Sequence, residues 1–221
     1  MPTHRETRNV SRLIPDTDEE LLFDIIATET LGTNREVTLR PEQRPERAGV
    51  GDPLDPATQM GPLAMRRQRD RVEGYIAKGK AEGAKLATGG GRPAHLNRGF
   101  YIEPTVFGNV DNSSTIARDE IFGPVLSVIP ADNEAQAVDI ANDTIYGLNA
   151  SVFTNDVDRA YATARELRSG TVGHNSWRTD FNIAFGGFKQ SGIGREGGTE
   201  GLLPFLEAKT ILLDQRPGHW S

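Results

Sequence analysis

From residue 49 onward, apolar and polar positions alternate between two periods. Over 66–83, Val72, Ile76 and Ala77 recur at helical spacing, and Gly83 supplies the stop that helix C-termini favour. Lys85-Leu86-Ala87-Thr88 reads as a short strand closed by the turn Gly89-Gly90-Gly91. Residues 101–106 and 125–129 are rich in β-branched and aromatic side chains and read as strands. A compact helix is predicted over 134–142, a strand at Ser151-Val152-Phe153, a helix over 157–167 and a strand at Thr171-Val172-Gly173. Strands and helices alternating across short connections predict an α/β domain with mainly parallel pairing and flanking helices. No internal repeat is visible.

The first 48 residues have another texture. They hold seven Arg and no Lys, and run into Arg40-Pro41-Glu42-Gln43-Arg44-Pro45-Glu46-Arg47. Prolines set among charges suit neither a helix interior nor a central strand, so 1–48 is expected to be a poorly structured arm. Within it, 18–26 reads as one short helix, with Thr17 or Asp16 as cap and acidic residues in the first turn.

Composition narrows the function classes. The chain has 221 residues, 36% hydrophobic and 25% charged, with a formal net charge of −6. Mean hydropathy is −0.48. No apolar run approaches the roughly 18 residues that span a bilayer, so no transmembrane helix is expected. The N-terminus lacks an apolar segment behind its charges; no secretory signal is expected, and a cytoplasmic location follows. An acidic balance without a basic block argues against nucleic-acid binding. The absence of cysteine matters most. It removes disulfides, thiolate metal sites and any thiol nucleophile.

Few motifs carry chemistry. Gly192-Ile193-Gly194-Arg195-Glu196-Gly197 satisfies the GxGxxG string, but a dinucleotide fingerprint needs a strand before it and a long helix after it. Here Lys189-Gln190-Ser191 precedes it and further glycines follow, so the string is read as a coincidence. No GxxxxGK[ST] loop and no GxSxG elbow is present. His4, His95, His174 and His219 are too far apart in sequence to form a helical metal face. Asp119-Glu120 stands beside the apolar, glycine-containing turn Ile121-Phe122-Gly123-Pro124-Val125. A carboxylate there either orients sugar hydroxyls by accepting hydrogen bonds or simply faces water; spacing alone favours the second.

Ordered blocks go further. They are Gly51-Asp52-Pro53; Met60-Gly61-Pro62-Leu63; Gly99-Phe100-Tyr101-Ile102-Glu103-Pro104-Thr105-Val106; and Glu120-Ile121-Phe122-Gly123-Pro124-Val125. Then come Asn142 with Tyr146-Gly147-Leu148 and Val152-Phe153; Gly170-Thr171-Val172 with Asn175; and Phe185-Gly186-Gly187, Lys189, Ser191-Gly192, Gly194 and Arg195-Glu196. In this order and spacing they resemble the C-terminal part of the aldehyde dehydrogenase superfamily. The resemblance divides the chain into an unassigned 1–48, a partial catalytic domain over 49–204 and an oligomerisation arm over 205–221.

The resemblance implies roles. Glu120 would accept hydrogen bonds from the nicotinamide ribose, and Phe122 would pack beside the nicotinamide ring. Trp177 and Phe181 are candidates for the substrate tunnel, with core packing an equal alternative. Ala184 stands where the family usually has proline. The apolar run Lys209-Thr210-Ile211-Leu212-Leu213 resembles an arm that adds as a strand to a neighbouring subunit's sheet, in a homo-oligomer or beside an intact homologue. The cofactor implied is NAD or NADP.

In this family a cysteine attacks the aldehyde, hydride passes from the thiohemiacetal to NAD(P), and water releases the acid from the resulting thioester. The nucleophilic cysteine, the glutamate base, the oxyanion asparagine and the nucleotide-binding half all lie outside the resemblance. No catalytic residue is therefore assigned, and Glu120 alone is not expected to hold the cofactor. Three readings follow: a truncated dehydrogenase inactive by itself, a half-enzyme completed by a second chain, or a non-catalytic module that joins intact oligomers.

Overall fold

The computed structural model describes residues 22–23, 27–28, 49–175, 180 and 182–219. Two short strands come first, β1 (Leu22–Phe23) and β2 (Ala27–Thr28). Helix α1 (Arg66–Ala81) leads into β3 (Lys85–Thr88), β4 (Thr105–Gly108), the one-turn α2 (Thr115–Arg118), β5 (Val125–Ser127) and β6 (Ile129–Pro130). Then follow α3 (Glu134–Asn142), β7 (Asn149–Phe153), α4 (Val157–Glu166), β8 (Thr171–His174) and the short α5 (Gly198–Leu202).

The strands form two sheets. One has the order β6-β2-β1-β7-β8 and the other β3-β4-β5. Three pairs are parallel, β2 with β6, β4 with β5 and β7 with β8. Three are antiparallel, β1 with β2, β1 with β7 and β3 with β4. The run 125–130 serves both sheets: β5 pairs with β4, then Val128 N–H donates to Phe107 O, and β6 pairs with β2.

Each predicted helix from 66 onward forms, because each buries one stripe. In α1 the buried positions include Val72, Tyr75, Ile76 and Gly79. A Cβ on Gly79 would lie 2.9 Å from Ile116 Cδ1 and 3.2 Å from Phe107 Cζ, so glycine lets the helix approach β4 and α2 closely. Helix α3 starts at Asn133, whose side chain accepts from Gln136 N–H. Helix α4 starts at Asp156, which accepts from Asp158 and Arg159 N–H. One core cluster gathers Val72, Ile76, Phe107 and Ile116; a second gathers Val138, Val152, Ala160 and Leu167. Phe107 and Val72 are fully buried. Each such side chain contributes about 1.5–3 kcal/mol of transfer free energy.

Two expectations are corrected. The helix over 18–26 does not form at Leu22–Phe23, which pairs with Phe153 and Val152 of β7; the ladder of a distant strand overrides local helix signals. The strand expected over 101–106 begins at Thr105 and runs to Gly108. Pro104 has no N–H for a ladder, and Tyr101 and Ile102 are buried without strand pairing. The run Lys209-Thr210-Ile211-Leu212-Leu213, expected to pair with a neighbouring subunit, makes no strand pairing among the described residues of the single chain, and Leu212 is 90% exposed.

Candidate functional site

The site is built on one face of α1. Gln68, Arg71, Val72 and Tyr75 are spaced three, one and three apart, which sets them along a single stripe. Beneath that stripe lies the loop 119–124. Tyr75 Oη donates to Asp119 Oδ2 at 3.0 Å. Arg71 Nη2 donates to Glu120 O at 2.6 Å, and Arg71 Nε reaches Ile121 O at 3.4 Å. Gln68 Nε2 donates to Ile121 O at 3.2 Å and to Phe122 O at 2.5 Å.

Packing sets the rest of the loop. Ile121 is buried in the core formed with Val72 and Ile76. Phe122 takes φ 59°, a left-handed conformation that costs a non-glycine residue about 1–2 kcal/mol. Gly123 lies against Val72, where a Cβ would come 2.4 Å from Val72 Cγ2. Burial, followed by the neighbouring Asp119 carboxylate, pushes the Tyr75 hydroxyl above its ordinary value. Its ring also has the Arg71 guanidinium at 4.9 Å and the Lys78 ammonium at 5.1 Å.

The loop forms one wall of a cleft of about 630 Å³. Opposite lie Tyr146 to Ser151 and the turn carrying Gln190 and Ser191. That far wall is tied together through Lys189, whose Nζ donates to Asn142 O at 2.8 Å and Thr144 O at 3.1 Å. Burial, and secondly Arg168, lower the ammonium's pKa. Asn142 in turn donates to Glu166 O and accepts from Arg168 N–H. Ser191 Oγ accepts from Gly147 N–H at 3.0 Å.

The structure brings Glu120 and Phe122 together. Both line the cleft, both are exposed, and Phe122 is 73% exposed. The Glu120 carboxylate has no hydrogen-bonding or ionic partner among the described residues, so it is free to accept from hydroxyl groups. Arg118, which also lines the cleft, is held by Asp143. Trp177 and Phe181 lie outside the described residues. Among the described residues no group of three metal-binding side chains occurs, and no helix is long and apolar enough to cross a membrane. The GxGxxG string follows a single 3-10 turn at Lys189–Ser191 and leads into the five-residue α5. Gln68, Arg71 and Tyr75 escaped the sequence reading, although their spacing beside Val72 marks one helix face.

Comparison with known proteins adds identity to geometry. The aldehyde dehydrogenase family model matches residues 33–211, starting ahead of the boundary at 49 drawn from sequence texture. Betaine aldehyde dehydrogenase of Brucella anthropi is 48% identical over 175 residues, 78% of this chain and 36% of that protein. Betaine aldehyde dehydrogenase 1 of Rhizobium meliloti is 48% identical over 180 residues, 80% of this chain and 37% of that protein. The Mycobacterium tuberculosis aldehyde dehydrogenase solved with NAD+ superposes with a TM-score of 0.75 at 52% identity, covering 80% of this chain and 36% of that one. Betaine aldehyde dehydrogenase of Staphylococcus aureus, also solved with NAD+, gives 0.74 at 40% identity over 80% of this chain and 36% of that one. The chain thus spans little more than a third of the length of the relatives it matches.

Proposed function

The chain belongs to the aldehyde dehydrogenase family, and from that premise we propose that it is the C-terminal part of a catalytic domain, silent by itself. The reaction it belongs to is NAD(P)-dependent oxidation of an aldehyde to a carboxylic acid. The names of its relatives point to betaine aldehyde as the first substrate to test. The observation that carries the reading is a free carboxylate, Glu120, lining the cleft of a chain without cysteine.

The residues present fit one end of a nicotinamide cofactor. Glu120 would accept from ribose hydroxyls, and the exposed Phe122 ring would offer an apolar face to the nicotinamide. When bound, the cofactor supplies the hydride acceptor. Beyond Glu120 and Phe122, the far wall includes Tyr146, Gly147 and Ser191, braced from behind by the bonds of Lys189 to Asn142 O and Thr144 O. Phosphate contacts would come from outside this chain, since Arg118 in the lining is already taken by Asp143. The cytoplasm is the compartment this reading expects.

The test is a cofactor-reduction assay on the purified chain with betaine aldehyde and either NAD+ or NADP+, read at the nicotinamide absorbance. No reduction above a protein-free blank is expected. A protein-dependent rate would overturn the proposal.

A second reading is favoured by the C-terminal segment, where Leu202, Leu203, Phe205, Ile211 and Leu212 are all exposed. Apolar side chains lined up in water favour burial against another chain. In this reading the arm joins a second copy or an intact homologue, whether or not catalysis follows.

A further inference from the structure

In an extended chain, successive carbonyls point to opposite sides. Three consecutive carbonyls meeting one helix face therefore require a break in that alternation. The carbonyl oxygens of Glu120, Ile121 and Phe122 all accept hydrogen bonds from α1, and Phe122, at φ 59°, breaks the alternation between the last two. Two side chains make the whole contact. One amide nitrogen carries two hydrogens, so Gln68 Nε2 serves two carbonyls; the planar guanidinium of Arg71 serves the neighbouring pair. With the main chain turned toward α1, Ile121 enters the core and the side chains of Glu120 and Phe122 stand at the surface.

We propose that Gln68 and Arg71 are positioning residues that aim the Glu120 carboxylate and the Phe122 ring into the cleft by holding the loop main chain. Its consequence for catalysis rests on the cofactor role proposed above. The mechanics do not. Val72 and Tyr75, on the same stripe, bear on Gly123 and Asp119 at either end of the loop, so the polar pair acts on its centre.

The absence of cysteine allows a clean test, because a single introduced thiol is the only labelling site. A nitroxide placed through Glu120→Cys reports motion of the loop by electron paramagnetic resonance. A second placed through Tyr161→Cys, an exposed position on α4, serves as control. In a Gln68→Leu/Arg71→Met background the label at 120 should show about a twofold shorter rotational correlation time, with the label at 161 unchanged. Arg71→Lys keeps one donor and should lie nearer the parent than Arg71→Met does; a lysine indistinguishable from methionine overturns the role given to Arg71. An unchanged spectrum at 120, or equal loosening at both sites, overturns the proposal as a whole. No cofactor enters the measurement. Failure of the ribose role would leave a positive result standing, and a rigid loop in the double variant would leave the ribose role untouched.

Discussion

Substitution of Gly123 by alanine sets two effects of opposite sign against each other. Replacing glycine stabilises a fold by about 0.4–1 kcal/mol through the unfolded chain, provided the native backbone accepts a side chain. Gly123 meets that condition, since it is absent from the positive-φ glycines. Against this stands the new methyl group, 2.4 Å from Val72 Cγ2 and 3.3 Å from Cγ1. Val72 has no exposed surface and, as a β-branched residue within a helix, has one strongly preferred rotamer. It cannot swing aside. Overpacking of this kind costs about 1–3 kcal/mol, so the clash wins and the net loss is about 0.5–2 kcal/mol. For a chain of this size that lowers the melting temperature by roughly 1–8 °C.

The source of the loss is separable by a double-mutant cycle in urea, followed by circular dichroism. Val72→Ala alone removes two methyl groups and leaves a small cavity, at a cost of about 1.5–3 kcal/mol. With those methyls gone, the nearest Val72 atom to the new methyl is its own Cβ at 3.4 Å, an ordinary contact. The double variant should therefore be more stable than the sum of the singles by about 1–2 kcal/mol. Additivity within about 0.5 kcal/mol, or a Gly123→Ala protein as stable as the parent, would refute the account of how α1 seats the loop.

Two further outcomes follow from the same contacts. Tyr75→Phe should cost about 0.5–1.5 kcal/mol by removing the bond to Asp119. Because the Tyr75 pKa is raised in the fold, its contribution is complete below the unfolded value near 10 and lost as pH rises through the folded one; urea titrations at pH 9 and above should show a flatter decline in the variant, and parallel declines would count against it. Deleting residues 206–221, which lie exposed wherever they are described, should leave the melting temperature within about 1 °C while reducing any association seen by sedimentation velocity. A large drop in melting temperature would place those residues in the fold of the single chain instead.

Local pattern carried the helices and lost the pairings. Val72 and Ile76 marked α1, and Gly83 together with the polar residues after 142 marked where helices stop, because period and capping are short-range properties. The segment at Leu22–Phe23 reads as helix and stands as strand, since what decides it is β7, far along the chain. The apolar run at 209–213 has strand composition and no ladder among the described residues of the single chain; a strand there needs a neighbouring edge, which composition does not supply. The family's ordered blocks named Glu120 and Phe122 as candidates, and both line the cleft. The residues that hold them were not legible, because Gln68 and Arg71 are polar positions on a helix and look like a solvated face. Their bonds go to main-chain carbonyls, and main-chain acceptors leave no trace in a sequence.

That asymmetry bears on what shapes the 119–124 loop. The contacts from Gln68, Arg71 and Tyr75 to the loop join residues 44 to 54 positions apart, all inside one stretch that the chain contains whole. The buried partners, Val72 and Ile121, belong to the same stretch and the same core. These contacts to the loop therefore all lie within the third or so of the relatives' length that this chain spans. The side chains that hold the loop main chain and the loop itself are thus encoded together, within residues 68–123 of this chain.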